Sequence, residues 1–290
     1  MLRIRLLFLA FFSFTLFFSA QNKFDYVGGL KLNDSLVISY KISFFENNGE
    51  VRGYSITDLG GEHETRSNIF GEYDTKAHIL NFREIGIVYT KSTTSQNDFC
   101  FLNTTFKNFE FGKTKKAKAN FVGLFSDNTQ CVNGEILLNS QEKAEQRVQK
   151  VIKKINSSNK IADSIKQKIN KVNMMNILKM NILKKDQTLT VFTASKSIKL
   201  ILFDGGKLDG DSVDIIINDK TILSNYIADS KEKVVTVALQ DKKTSIIIKA
   251  NNEGEIAPNT VIVKLNDGVN DIKALSNLKA GETTQIDILN

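Results

Sequence analysis

The stretch LVISYKISFFENNGEVRGYSIT, residues 36–57, decides the fold. Leu36, Ile38, Tyr40, Ile42 and Phe44 recur at every second position, with Ser39, Lys41 and Ser43 between them. A period of two places one set on a buried face and the other in water, as in a half-buried strand. Asn47-Asn48-Gly49 then supplies residues that accept positive φ, so the chain turns back as a hairpin into Val51–Thr57. The same pattern continues outward. Residues 67–73, the polar turn Asp74-Thr75-Lys76, and residues 77–89, 99–107, 117–125 and 135–138 read as further strands. Short strands separated by turns predict an antiparallel meander over 21–140, and closing it into a small barrel removes its exposed edges.

The pattern changes at Gln141. Val148, Val151, Ile152 and Ile155, then Ala162, Ile165, Ile169 and Val172, recur at three and four, the spacing of a helical stripe. Ser157-Ser158-Asn159 interrupts it, which predicts one helix over 141–156 and a second over 160–183. Beyond residue 187 the period returns to two. Eight short strands are predicted, at 189–193, 198–203, 213–218, 234–239, 245–249, 260–265, 271–275 and 284–289, the pattern of a β-sandwich. The fold class is therefore mainly β: an N-terminal antiparallel meander or barrel (21–140), a central basic helical connector (141–186) and a C-terminal β-sandwich (187–290).

The first twenty residues stand apart. Arg3 and Arg5 precede an apolar run from Leu6 to Phe18, and Ser19-Ala20 offers a small-residue cleavage site, the layout of a secretory signal peptide. Export implies a periplasmic, outer-membrane-associated or secreted protein. In an oxidising compartment an even pair of cysteines, Cys100 and Cys131, predicts one disulfide. The formal charge of +7 becomes +5 without Arg3 and Arg5. Residues 141–186 hold twelve Lys/Arg and four Asp/Glu, a net of +8, so the rest of the mature chain carries −3. A basic balance confined to one connector without aromatic residues argues against nucleic-acid binding. It reads as a solvated helix face that also offers a membrane-surface contact.

Several segments resemble known modules. Tyr26-Val27-Gly28-Gly29, Val51-Arg52-Gly53-Tyr54-Ser55, Leu80-Asn81-Phe82-Arg83-Glu84, Phe99-Cys100 and Cys131-Val132-Asn133-Gly134-Glu135-Ile136 together resemble a lipocalin-like or avidin-like β-barrel module of secreted bacterial proteins. The chain lacks the Gly-x-Trp that lipocalins carry near their start. That resemblance implies a clamp between Cys100 and Cys131 across neighbouring strands. Phe44, Phe82, Phe99, Phe101, Phe121 and Phe125 either line a cavity in such a barrel or fill its core. Asp204-Gly205-Gly206-Lys207-Leu208-Asp209-Gly210-Asp211 and the later Asn251-Asn252-Glu253-Gly254-Glu255-Ile256-Ala257-Pro258-Asn259-Thr260 resemble a C-terminal β-sandwich module of exported bacterial proteins. No enzymatic activity follows from that resemblance.

Two readings fit the aspartates. Each caps a tight turn while the glycines take positive φ, or Asp204, Asp209 and Asp211, joined by Asn259 or Glu253 from the facing loop, supply oxygens to calcium. The spacing is not that of an EF-hand. The chain has no Gly-x-Ser-x-Gly elbow, phosphate loop or His-Glu-x-x-His, and His63 and His78 lie in polar loop and turn settings without a nucleophile. These features predict an exported, non-catalytic binding or surface-interaction protein with a protein, glycan or small hydrophobic partner. The alternatives are a hydrophobic-ligand carrier using the barrel and a hydrolase with an unsignalled carboxylate pair. Too few heptads fit the connector for a coiled coil, so a monomer is expected rather than a dimer.

Overall fold

A computed structural model describes residues 22–32, 36–93, 96–171, 180–204, 208–240 and 242–290. Its N-terminal part is built of β1 (Asn22–Lys31), β2 (Val37–Asn47), β3 (Glu50–Thr57), β4 (Thr65–Asp74), β5 (Ile79–Thr90), β6 (Phe101–Phe106), β7 (Lys116–Leu124) and β8 (Gln130–Ser140). Each strand pairs antiparallel with its sequence neighbour, and β1 also pairs with β8. The ladder therefore closes into an eight-stranded antiparallel barrel. The hairpin read from residues 36–57 is present: Asn47 faces Glu50 across a two-residue turn, with Asn48 and Gly49 at φ of 51° and 89°.

The inward positions of the alternation form the barrel core, but β2 departs from the expected wet and dry faces: Lys41 and Ser43 are buried as well, and Leu36 is exposed before the strand begins. Tyr26, Tyr40, Ile42, Phe44, Leu80, Phe82, Phe106, Phe121, Ile136 and Leu138 are buried in that core. The loop between β6 and β7 completes it with Phe109 and Phe111. The Phe109 ring lies 5.6 Å from Tyr26, 5.8 Å from Phe106 and 5.0 Å from Phe111. The barrel interior is thus filled by its own rings. Of the phenylalanines expected there, Phe44, Phe82 and Phe121 are buried in this cluster, while Phe99, Phe101 and Phe125 are only half-buried.

Two helices follow, α1 (Gln141–Asn156) and α2 (Asp163–Lys171). The expected continuation of the second helix to residue 183 is not what forms. Residues 172–179 lie outside the described residues, and Asn181–Leu183 is a strand, β9. Leu183 is fully buried, and β9 pairs parallel with a strand nearly a hundred residues later. Tertiary pairing at a sheet edge overrides the local helical pattern here.

The C-terminal part adds β10 (Thr188–Phe192), β11 (Ser197–Asp204), β12 (Ser212–Ile217), β13 (Lys220–Ile227), β14 (Lys233–Ala238), β15 (Lys243–Ala250), β16 (Val261–Asn266), β17 (Asp271–Ser276) and β18 (Thr283–Leu289). One sheet has the order β14-β11-β16-β17-β9. The strands β13-β12-β15-β18-β10 form a second run that continues into β5 of the barrel. Leu200, Leu202, Val261 and Val263 from the first sheet and Val213, Ile246, Ile248 and Ile286 from the second belong to one buried cluster.

Strand β5 serves both parts. Its first half, Leu80–Arg83, pairs with β6 and closes the barrel. Its last residues, Tyr89 and Thr90, pair with Val191 and Thr190 of β10. Around this junction Glu64 and Lys91 form a buried ion pair at 4.0 Å. Tyr89 Oη donates to Glu64 Oε1 at 2.8 Å, Gly60 N to Glu64 Oε2 at 2.6 Å, and Lys91 Nζ to the Ile182 carbonyl at 2.6 Å. Arg66 reaches from β4 to the Asp271 carbonyl at 2.9 Å, its guanidinium stacked 4.0 Å from the Tyr54 ring. Burial pushes the Glu64 carboxyl up, an effect only partly offset by Lys91, and pushes the Lys91 ammonium down.

Candidate functional sites

Strand β11 ends at Asp204 and β12 begins at Ser212, so the intervening loop starts and finishes on neighbouring parts of one core. It brings Asp204, Asp209 and Asp211 together: all three are buried, and a carboxylate oxygen from each lies within 4.8 Å of the others. The facing loop before β16 braces them. Thr260 donates from N and Oγ1 to Asp211 Oδ2 at 2.7 and 3.1 Å, and Ile256 N donates to Asp209 Oδ2 at 3.2 Å. Gly254 has φ of 60°, and a Cβ there would lie 2.6 Å from Asp209 Oδ1 and 2.8 Å from Asp211 Oδ1. The position closes a cradle against the carboxylates that only glycine fits. An all-oxygen set of this kind fits a hard cation such as calcium.

Asn259 is placed differently. Its Nδ2 donates to the carbonyls of Ser212 and Asn252 at 3.1 and 3.2 Å, and its Oδ1 accepts from Ser276 Oγ at 3.0 Å. The side chain ties the two loops and β17 together. Asn252 does similar work, accepting from Ser212 N at 2.8 Å and donating to the Gly210 carbonyl at 2.8 Å.

Cys100 and Cys131 are joined in a disulfide with Cα atoms 6.1 Å apart. The bridge does not link neighbouring strands. Cys100 precedes β6 and Cys131 lies in β8, with β7 between them. Gly123 of β7 faces Val132 while Leu124 faces Gln130, so Cys131 is the extra residue of a bulge. The disulfide passes over Gly123, where a Cβ would collide with Cys100 Sγ.

Inside the barrel the adjacent Arg83 and Glu84 separate as a strand requires, Arg83 outward and Glu84 inward. Glu84 Oε1 accepts from Tyr40 Oη at 3.1 Å and Ser55 Oγ at 2.5 Å, and Oε2 accepts from Leu102 N at 2.8 Å. Burial pushes its carboxyl up while the three hydrogen bonds pull it down. Burial, reinforced by the charge of Glu84, raises the Tyr40 hydroxyl well above its ordinary value. Both oxygens of the carboxylate are engaged by the barrel wall. His63 and His78 are exposed.

The outer face of the barrel carries a groove of 680 Å³ that sequence reading did not anticipate. Phe70, Glu72, Asn81, Arg83, Asn103 and Asn120 line it. They come from β4, β5, β6 and β7, at the outward positions of the same alternation that fills the core. Thr105 Oγ1 donates to Asn81 Oδ1 at 2.6 Å, which fixes the orientation of that amide. The Arg52 guanidinium lies 5.6 Å from the centroid of the Phe70 ring.

No family model matches the chain, and no curated protein matches it. Among solved structures, it is similar to SGBP-B of the Bacteroides ovatus mixed-linkage glucan utilization locus, in complex with a mixed-linkage heptasaccharide. The two are 10% identical; the match covers 89% of this chain and 60% of that one, with a TM-score of 0.16. A likeness this slight carries no argument about fold or ligand.

Proposed function

We propose that the chain is an exported, non-catalytic binding protein whose ligand surface is the outer face of the barrel. The groove lined by Phe70, Asn81, Arg83 and Asn103 carries the reading. It is a shallow, open surface on which an aromatic ring and several polar groups lie side by side, a composition suited to recognition. In this reading residues 1–20 are a signal peptide, 21–140 the barrel module, 141–186 a basic helical connector and 187–290 the β-sandwich module of exported bacterial proteins. The disulfide fits an oxidising compartment.

The Asp204–Asp209–Asp211 cluster is the calcium site of this reading, and its role is structural. A divalent cation held by these three buried carboxylates would tie the β11–β12 loop to the loop before β16. The hydrophobic-carrier alternative is disfavoured by the packed rings of Phe44, Phe82, Phe106 and Phe109. The hydrolase alternative is disfavoured at Glu84, whose oxygens are held by Tyr40, Ser55 and Leu102.

The test is to immobilise the full mature chain, offer it polysaccharide, lipid and protein fractions, and determine the mass of whatever is released. A binding protein returns its partner chemically unchanged, and Phe70→Ala lowers retention. A released partner that has been cleaved, or a small apolar molecule retained equally by Phe70→Ala, refutes the proposal.

A further inference from the structure

Helix α1 is amphipathic but has no core to face. It packs on β1, β8 and α2, yet none of its sixteen residues is buried. Val148, Ile152 and Ile155 are half-buried, and Val151 is 48% exposed. At about 3.6 residues per turn these four side chains share about 100° of the helix circumference. A stripe of this kind normally lies against a core, and covering it supplies most of a helix's stability in a folded protein. Helix α2, packed on α1, also leaves Ile165 51% exposed.

The other side of α1 is cationic. Lys143, Arg147, Lys150, Lys153 and Lys154 occupy about 120° of the circumference away from the stripe. The two acids are engaged near the start of the helix: Glu142 pairs with Lys115 at 3.0 Å, and Glu145 Oε1 accepts from Gln141 Nε2 at 2.7 Å. From Gln146 to Ala162 the sequence has five cations and no acid. Lys143 and Arg147, Arg147 and Lys150, Lys150 and Lys153, and Lys150 and Lys154 are like charges three or four residues apart, and each such pair opposes the helix. The fold thus leaves α1 with an uncovered apolar stripe and a self-repelling cationic row.

An occupant must answer both. A soluble polyanion neutralises the row and leaves the stripe in water. A second copy covers the stripe but sets two helices side by side, each with five cations against two acids, a net of +3. A lipid–water interface with anionic headgroups answers both, because the stripe rests at the acyl boundary while long Lys and Arg chains reach the headgroups. The helix is about 24 Å long, and no helix among the described residues is long and apolar enough to cross a membrane. We propose that α1 docks the protein on an anionic phospholipid surface, lying in the plane of the interface. Val151 enters the acyl boundary, and Arg147, Lys150, Lys153 and Lys154 engage phosphate headgroups. This docking goes beyond the barrel-face reading and does not depend on it.

The experiment is cosedimentation of the full mature chain with vesicles of phosphatidylcholine alone or with about 30% phosphatidylglycerol. Lys150→Gln/Lys154→Gln removes two cations from the row. Lys231→Gln/Lys233→Gln removes the same charge from the exposed start of β14 and is the control. The chain has no tryptophan, so Val151→Trp places a single fluorescent reporter in the stripe. The expected result is binding to the anionic vesicles alone, weakened about twentyfold or more by Lys150→Gln/Lys154→Gln and less than about twofold by the control. Salt at about 500 mM releases the protein, and Val151→Trp emission shifts to the blue on the anionic vesicles. Retention on neither vesicle, or equally on both, overturns the anionic surface. Equal weakening by the two double variants overturns the site, since net charge alone then explains the binding. Tighter binding of Val151→Trp to inorganic polyphosphate than to vesicles, without a blue shift, makes the partner a soluble polyanion and overturns the proposal. A blue shift without vesicles, together with a dimer in sedimentation velocity, makes the partner a second copy and overturns it as well.

Discussion

Replacing Glu84 by glutamine and, separately, by leucine tests how the barrel tolerates a carboxyl in its core. Burial raises the folded-state pKa of Glu84 above its ordinary value of 4.5. A group whose folded pKa is raised contributes stability that is fully present below the unfolded pKa and is lost as pH rises through the folded pKa. Wild-type stability should therefore fall from about pH 4.5 upward, with a limiting slope of about 1.4 kcal/mol per pH unit from this group. Glu84→Gln has no such group, so its stability should decline less over the same window. The two neutral variants then isolate the hydrogen bonds. Glutamine can accept from Leu102 N and donate to the hydroxyls of Tyr40 and Ser55, which rotate to accept. Leucine leaves the Leu102 N–H without its acceptor, at about 1–3 kcal/mol, and takes the partner from two hydroxyls as well. Glu84→Leu should thus lie about 2–4 kcal/mol below Glu84→Gln at every pH. Urea denaturation followed by circular dichroism between about pH 4.5 and 8 measures both quantities, with hydrogen exchange at Leu102 as the local readout. Equal pH slopes for wild type and Glu84→Gln, or equal stability of the two neutral variants, would refute the reasoning.

Other perturbations probe the remaining features. Lys91→Met leaves Glu64 as a buried, unneutralised carboxylate and should cost about 3–5 kcal/mol, most of it recovered in the double variant with Glu64→Gln, as read by denaturation midpoints. Replacing both cysteines by serine releases a loop with sequence separation 31, and chain entropy predicts a loss of about 3.7 kcal/mol, measured by denaturation of oxidised wild type against the variant. Calcium at a hundredfold excess over its dissociation constant should stabilise the protein by about 2.7 kcal/mol. A thermal scan should show that shift abolished by chelator and by Asp209→Asn; a midpoint indifferent to both would rule out the cation site.

Alternation made the barrel legible where its strands have one wet face, although Lys41 and Ser43, read as the wet side of β2, are buried. It failed where that condition lapsed. Ile87, Val88, Tyr89 and Thr90 are all buried, since β5 there is covered on both faces as it passes from barrel to second sheet. An unbroken apolar run at a strand end was the available signal. Strand β13 was missed because it is an edge strand with mostly exposed residues and little alternation. Phe109 and Phe111 were invisible because they lie in a loop, where no period marks a residue as inward. The clustering of Asp204, Asp209 and Asp211 was readable from one loop, but the bracing role of Asn259 needed the facing carbonyls of Ser212 and Asn252. The groove was hidden for another reason. Asn81, Asn103 and Asn120 look like ordinary outward residues, and only the register across four strands puts them side by side.

The sharing of β5 has a mechanical consequence. A protein held at one end and engaged by a ligand on its barrel transmits tension through whatever joins its two parts. Here that load path includes a ladder of only two residue pairs, Thr190 with Thr90 and Val191 with Tyr89, backed by Arg66 and the Glu64–Lys91 contact. Tension directed across this ladder must also draw Val88 and Tyr89 of β5 out of the C-terminal core in which they are buried. The junction is therefore a lock and not a hinge: the strand that closes the barrel also carries side chains of the C-terminal core, so neither part loosens alone.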